Sequence, residues 1–165
     1  KSYLTGNWLD RRDAQNKREK SLFALSYGTP GILLSRLSLL NNTDLPDSIK
    51  KIALDDIERG IEAILRKGQS EYLDDTLING FAGSILTLKL IKDSKCLSLK
   101  KELFEQVSEY LIKAEEELTT GAWRYQSSDR RNLSFFNGRL GTTFVLFLLS
   151  NEDLALDILD KIFGV

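Results

Sequence analysis

Histidine is absent from this 165-residue sequence, and cysteine occurs only once, as Cys96. Mechanisms that need a histidine base, a histidine metal ligand or a cysteine–histidine pair within the chain are therefore excluded. A single cysteine also rules out an internal disulfide bond. Because no charged and then apolar segment typical of a secretion signal is present, the sequence favours a reducing, cytoplasmic setting.

An excess of charge of one sign is lacking too, since 23 lysine and arginine residues face 24 aspartate and glutamate residues. This balance removes the simplest argument for binding to a nucleic acid or to an anionic membrane. Apolar runs such as that at 140–149 fall well short of the roughly 20 residues that span a bilayer. With only two prolines and no low-complexity tract, the chain is predicted to form one globular domain.

One short motif, Gly-x-x-Gly, occurs three times along the chain. Its first glycines are at 28, 80 and 138, so the copies are 52 and 58 residues apart. A segment that is apolar almost all round follows each copy and predicts a buried inner helix. The three predicted inner helices are 32–40, 84–91 and 142–149.

An amphipathic segment follows each inner helix and predicts an outer helix with one exposed face. The outer candidates are 49–64, 99–118 and 154–162. Pairing each inner helix with its outer helix gives three hairpins, over about 26–68, 78–119 and 136–163. Repetition of such a hairpin builds a curved double layer of helices, so the sequence predicts an all-α fold.

The motif glycines lie where the predicted inner helices begin. They are Gly28 and Gly31, Gly80 and Gly83, and Gly138 and Gly141. Such glycines permit close approach of neighbouring backbones, or unusual backbone angles at the turn. Free N–H groups at the helix starts would point to a common centre and could receive an anion or a peptide carbonyl. The alternative is that the glycines are purely architectural.

Three stretches of the chain resemble the C-terminal motifs of the lanthionine synthetase C-like (LanC-like) family. The family motifs are Trp-Cys-x-Gly-x-x-Gly, then Cys-His-Gly-x-x-Gly, then a last Gly-x-x-Gly hairpin. The matching residues here are Tyr27-Gly28-Thr29-Pro30-Gly31-Ile32, Gly80-Phe81-Ala82-Gly83, and Asn137-Gly138 with Gly141. The resemblance implies an α/α toroid, with residues 1–165 forming an incomplete piece of about three hairpins.

The resemblance also implies an activity, the closure of thioether rings in dehydrated peptides at a central zinc ion. In the family the zinc ligands are the cysteine of the first motif and the cysteine and histidine of the second. The aligned positions here are Ser26, Ile78 and Asn79, and Leu25 replaces the preceding tryptophan. A hydroxyl, an alkyl group and an amide do not hold zinc, so we expect no metal cofactor.

Two functional hypotheses follow from this pattern. In the first, the domain serves lanthipeptide biosynthesis by binding a precursor peptide, a synthetase partner or the missing half of the toroid, and zinc-dependent cyclisation is lost. In the second, it is a zinc-independent cyclase that forms lanthionine or labionin within a multidomain synthetase, by positioning the peptide and lowering the thiol pKa. No catalytic residue is predicted. The candidate substrate-binding residues are Ser26, Tyr27, Asn79, Asn137 and Arg139.

Two alternatives outside the family remain open. A helical-repeat adaptor would account for the hairpins, but not for three glycine motifs at inner helix starts. A carbohydrate enzyme would need paired carboxylates, of which Asp55–Asp56 and Asp74–Asp75 are candidates. The first pair is expected to face solvent on an outer helix, and the second to reach the rim of the centre.

An incomplete toroid also makes a prediction about surfaces. Three hairpins leave apolar flanks where neighbouring hairpins would pack. We expect these flanks to be covered by another chain or to remain exposed.

Overall fold

The computed structural model of this protein describes Trp8 and residues 23–42, 44–94, 97, 99–125 and 132–151. These residues form five α-helices and one 3-10 turn, Gln69–Glu71, with no strand among them. The helices are α1, Thr29–Leu40; α2, Asp47–Leu65; α3, Phe81–Asp93; α4, Lys101–Thr119; and α5, Arg139–Ser150. The predicted all-α class is confirmed. Within the same described ranges, no helix is long and apolar enough to cross a membrane.

Inner and outer helices alternate along the chain as the sequence pattern predicts. The inner segments lie within α1, α3 and α5. The outer segment 49–64 lies within α2, and the outer segment 99–118 overlaps α4, which begins two residues later than predicted. Helix α1 packs on α2 and α3, and α3 packs in turn on α4 and α5. The third outer segment, 154–162, lies outside the described residues.

The central inner helix, α3, is more completely buried than α1 and α5. In α3 every residue from Phe81 to Ile91 is buried. This agrees with the rule that a helix without a polar face needs cover on all sides. In α5, by contrast, Leu140 is 53% exposed and Phe147 is 42% exposed. The prediction of fully buried inner helices is therefore wrong for α1 and α5, which expose one side each.

Apolar side chains stand exposed along the open side of α5 and the turn before it. They are Leu133, Phe136, Leu140 and Phe147. Their exposure is consistent with the predicted apolar flank, and the packing of a further hairpin on it stays a prediction.

The first hairpin is held together by an ion pair as well as by apolar packing. Arg36 of α1 donates from Nε to Asp56 Oδ2 of α2 at 3.0 Å, and Asp56 is only 3% exposed. Asp55 is exposed, but the expectation that Asp56 also faces solvent is wrong. It turns inward because the facing guanidinium offsets the cost of burying its charge.

Candidate functional site

Three turns lead into the inner helices and lie side by side. They are turn 1 (24–28), turn 2 (76–80) and turn 3 (134–138). Leu25 N donates to Ile78 O at 2.9 Å, and Ile78 N donates to Phe136 O at 3.0 Å. Backbone hydrogen bonds thus join turn 1 to turn 2 and turn 2 to turn 3. The starts of α1, α3 and α5 converge on one rim.

The first glycine of each motif is the N-cap of its helix. The φ angles of Gly28, Gly80 and Gly138 are −132°, −126° and −138°, with extended ψ angles. Any residue adopts such angles, so the suggestion that these glycines supply unusual backbone conformations is wrong.

The physical reason for glycine at these positions is space. A Cβ built on Gly80 would lie 2.6 Å from Thr76 N and would overlap both the carbonyl and the carboxylate oxygens of Asp74. The second glycine of the same motif, Gly83, meets the Leu77 carbonyl oxygen in the same way. The segment before α3 can therefore pack against the first helical turn only if the two motif positions are glycine.

A substitution at Gly80 tests this account directly. Gly80→Ala is expected to lower the free energy of unfolding by about 1–3 kcal/mol, because the added methyl group overpacks a rigid turn. The matched control is Gly68→Ala, since a Cβ there would have no neighbour closer than 3.8 Å. Urea denaturation of both variants should show the control within about 1 kcal/mol of the parent protein. Equal effects at the two positions would contradict a requirement for close approach.

Side-chain hydrogen bonds shape turn 2 in a pattern the sequence analysis missed. Asp74 Oδ1 accepts from Thr76 N at 2.9 Å and from Thr76 Oγ1 at 2.7 Å. Thr76 Oγ1 in turn accepts from Asn79 N at 3.3 Å. Asp74 is 2% exposed. The expectation that it reaches the rim as half of a carboxylate pair is therefore wrong, because its oxygens are used to build the turn.

Turn 3 repeats this pattern 58 residues later. Asn132 Oδ1 accepts from Ser134 N at 2.9 Å, and Ser134 Oγ accepts from Asn137 N at 3.3 Å. Both turns thus follow Asp/Asn-x-Thr/Ser-x-x-Asn-Gly, a signal that was present in the sequence. Ala24 stands at the corresponding position of turn 1, which cannot form the same hydroxyl contact.

The candidate site residues fall into one group with one outlier. Asn79 Nδ2 lies 3.5 Å from Asn137 Oδ1, and Ser26 N lies 3.4 Å from Ile78 O. These four residues therefore share the rim formed by the three turns. Tyr27, which is 44% exposed, lies next to Ser26 in turn 1.

The outlier is Arg139, the first residue of α5. Its backbone N–H donates to Asn132 O at 3.0 Å, and its side chain is exposed. Burial raises the pKa of Tyr125, and the nearby Arg139 guanidinium partly opposes that rise. Arg139 thus lies near Tyr125 and has no described contact with Asn79 or Asn137.

The residues on the rim do not fit a zinc ion. The positions that the motifs predict to correspond to the family ligands offer a hydroxyl from Ser26, an alkyl group from Ile78 and an amide from Asn79. Zinc in proteins takes thiolate, imidazole or carboxylate donors. Among the described residues, moreover, no group of three or more Cys, Asp or Glu side chains is placed to hold a metal.

An ion pair between a fully buried carboxylate and a partly exposed guanidinium, here called the Asp75–Arg124 clamp, lies just before turn 2. Arg124 donates from Nη2 to Asp75 Oδ1 at 2.8 Å, from Nε to Oδ2 at 3.2 Å and from its backbone N to Oδ2 at 2.7 Å. The Asp75 side chain is fully buried. Hydrogen bonding to this carboxylate raises the pKa of Arg124.

The clamp also reaches α5 and the loop before turn 2. Thr142 Oγ1 of α5 donates to Asp75 O at 2.8 Å. Arg124 donates further to the carbonyl oxygens of Gln69 at 2.6 Å and Tyr72 at 3.2 Å. Arg124 thus joins Asp75 to the loop before turn 2, and the Asp75 backbone joins that region to α5. The Asp75 carboxylate is fully buried and is not available as a rim carboxylate.

Comparisons with known proteins agree with this geometry. The profile of the family described as "Lanthionine synthetase C-like protein" matches residues 1–163. Nisin cyclase, a solved structure, superposes with a TM-score of 0.50 and 25% sequence identity, over 90% of this chain and 36% of that chain. The present chain thus spans about a third of the length of nisin cyclase. A comparison with curated proteins gave no match.

The superposition confirms the predicted toroid class, and it covers nearly the whole of this chain. The family profile extends over almost the same range and includes all three glycine motifs. On these findings the chain belongs to the lanthionine synthetase C-like family.

Proposed function

We propose that this chain is a LanC-like domain of lanthipeptide biosynthesis that binds a precursor peptide, and that zinc-dependent thioether cyclisation is lost in it. The observation that carries the proposal is the chemistry of the rim. Ser26, Ile78 and Asn79 lie on adjoining turns, where the family would place its ligands, yet none supplies a zinc donor.

The same rim suits a peptide backbone. Asn79 and Asn137 each carry an amide that can both donate and accept a hydrogen bond. Their mutual contact is long, at 3.5 Å between Nδ2 and Oδ1. A contact of that length contributes little, so a peptide amide that replaced it would gain better hydrogen bonds at small cost.

A zinc-independent cyclase is the second candidate, and the convergence of three inner helices favours it. The N-terminal ends of α1, α3 and α5 meet at the rim, and the positive end of a helix lowers the pKa of a nearby thiol. A peptide thiolate would add to the β-carbon of a dehydroalanine, and a proton from solvent would complete the α-carbon. The ring closes with no oxidant or reductant.

Peptide binding can be measured with labelled peptides that contain one dehydroalanine and one cysteine. Asn79→Ala and Asn137→Ala should each weaken binding by about 3- to 10-fold, as expected for the loss of one or two hydrogen bonds. The matched control is Asn41→Ala, an exposed asparagine at the C-terminal end of α1. Fluorescence anisotropy should show no change for the control. If the parent protein does not bind these peptides, the proposal is wrong.

Intact-mass analysis separates the two candidates. After incubation with the protein, the peptide is treated with an alkylating reagent that adds mass to each free thiol. The proposed function leaves the peptide fully alkylated, as in a sample without protein. Protein-dependent loss of the alkylated species would instead support the zinc-independent cyclase.

A further inference from the structure

A pocket of about 360 Å³ opens beside turn 1 and the first half of α1. Its walls include the aromatic rings of Trp8 and Tyr27 and the aliphatic side chains of Leu25 and Ile32. Pockets that bind small ligands are mostly apolar, carry a few polar groups and measure about 300–1,000 Å³. This one lies at the small end of that range and has room for one or two amino-acid side chains.

The charge of the pocket limits what it can bind. Arg36 lies in its wall, and Arg36 Nε is already hydrogen-bonded to the buried Asp56 carboxylate at 3.0 Å. The two charges offset one another. An anionic ligand would lose its hydration without gaining an unpaired counter-charge in the wall, and so would a cationic ligand. A neutral, apolar group avoids both costs and gains from burial against Trp8 and Ile32.

The pocket is continuous with the rim of the three turns. Ser26 belongs to both, since it lines the pocket and its backbone N lies 3.4 Å from Ile78 O. A peptide held at the rim would therefore lie next to the part of the pocket wall that Ser26 forms. This places the pocket beside the segment that the rim would bind.

We propose that this pocket is a specificity subsite, which takes one uncharged apolar or aromatic side chain of the bound peptide. The residue it selects is a near neighbour of the residue held at the Asn79–Asn137 rim. The inference rests on the proposed function, because it assigns a substrate preference to the same site.

The two tryptophans of the chain provide the experiment. Trp8 lines the pocket, whereas Trp123 lies elsewhere and donates from its indole Nε1 to Leu118 O at 2.7 Å. In Trp123→Phe the emission reports on Trp8, and in Trp8→Phe it reports on Trp123. The probes are acetylated and amidated peptides in which phenylalanine, leucine, lysine or aspartate flanks a dehydroalanine, on either side.

The phenylalanine and leucine peptides should bind at least about tenfold more tightly than the lysine and aspartate peptides. They should shift the emission of Trp8 and leave that of Trp123 unchanged. Ile32→Ala should reduce the preference for phenylalanine over aspartate several-fold. Ile52→Ala, at a position on α2 that is 54% exposed, is the matched control and should preserve it.

Each outcome separates the subsite from the proposed function. Binding that depends on Asn79 but shows no side-chain preference and no change at Trp8 overturns the subsite alone. A Trp8 response that is selective for apolar peptides but indifferent to Asn79→Ala and Asn137→Ala supports the pocket and contradicts the rim. Failure of all the peptides to bind overturns both.

Discussion

The variant that combines Ser26→Cys, Ile78→Cys and Asn79→His is expected to bind one zinc ion per chain, and the parent chain is expected to bind none. Two thiolates and one imidazole with an open fourth position form a donor set that zinc accepts. Positions 78 and 79 are consecutive in turn 2. Ser26 lies in turn 1, and its backbone N is 3.4 Å from Ile78 O. The backbone therefore holds all three positions close together before any metal binds.

The effect should be large enough to measure in two ways. Structural zinc contributes about 10–16 kcal/mol in zinc-finger peptides, and a site with three protein ligands should bind less tightly but still stoichiometrically. At a free zinc concentration a hundred times the dissociation constant, the free energy of unfolding should rise by about 2.7 kcal/mol. Metal analysis after mild chelation gives the stoichiometry, and cobalt substitution reports tetrahedral geometry through its visible absorption.

The matched control keeps Asn79 and carries only the two cysteine substitutions. It should lose its metal under chelation that the triple variant withstands, because two thiolates alone are a weaker site. A folded triple variant that binds no zinc would show that these positions do not converge as they do in the family. Stoichiometric zinc in the parent protein would show that the alignment of the motifs is wrong.

The helical order of the fold could be predicted because the hydrophobic pattern is unambiguous. Segment 84–91 is apolar all round, and its helix α3 is the buried centre of the structure. Yet α1, α3 and α5 each begin three residues before the predicted start. The hydrophobic pattern predicts that each helix begins after the second glycine of its motif, whereas that glycine lies in the first helical turn. There the lack of a side chain lets the preceding carbonyl approach.

Long-range polar contacts could not be predicted in the same way. Asp75 and Arg124 are 49 residues apart, and their pairing depends on where the chain passes after α4. Asp74 and Asp75 looked equivalent in the sequence, yet one carboxylate caps its own turn and the other is paired across the fold. The role of Asp74 is local and follows the Asp-x-Thr-x-x-Asn-Gly pattern of the sequence. The pairing of Asp75 with Arg124, by contrast, arises only from the tertiary structure.

Removal of the clamp arginine is the second change with a large expected effect. Arg124→Ala should lower the free energy of unfolding by about 3 kcal/mol, because it leaves the fully buried Asp75 carboxylate without a counter-charge. The expected loss of about 3 kcal/mol is at the lower end of the range for broken buried ion pairs, because the Arg124 side chain is 39% exposed. Urea denaturation monitored by circular dichroism gives the measurement.

The matched control is Arg66→Ala, which removes an exposed ion pair with Glu62 at 3.8 Å. Surface pairs of this kind contribute about 0–1 kcal/mol, so the control should unfold near the parent protein. A second variant, Asp75→Asn combined with Arg124→Ala, tests the cause. It should be more stable than Arg124→Ala alone, because it removes the unpaired buried charge. The amide oxygen of the new asparagine can still accept the backbone N–H of residue 124. A double variant less stable than Arg124→Ala would contradict this cause. The stability lost in Arg124→Ala would then come from the missing hydrogen bonds to the Gln69 and Tyr72 carbonyl oxygens, and not from the unpaired Asp75 carboxylate.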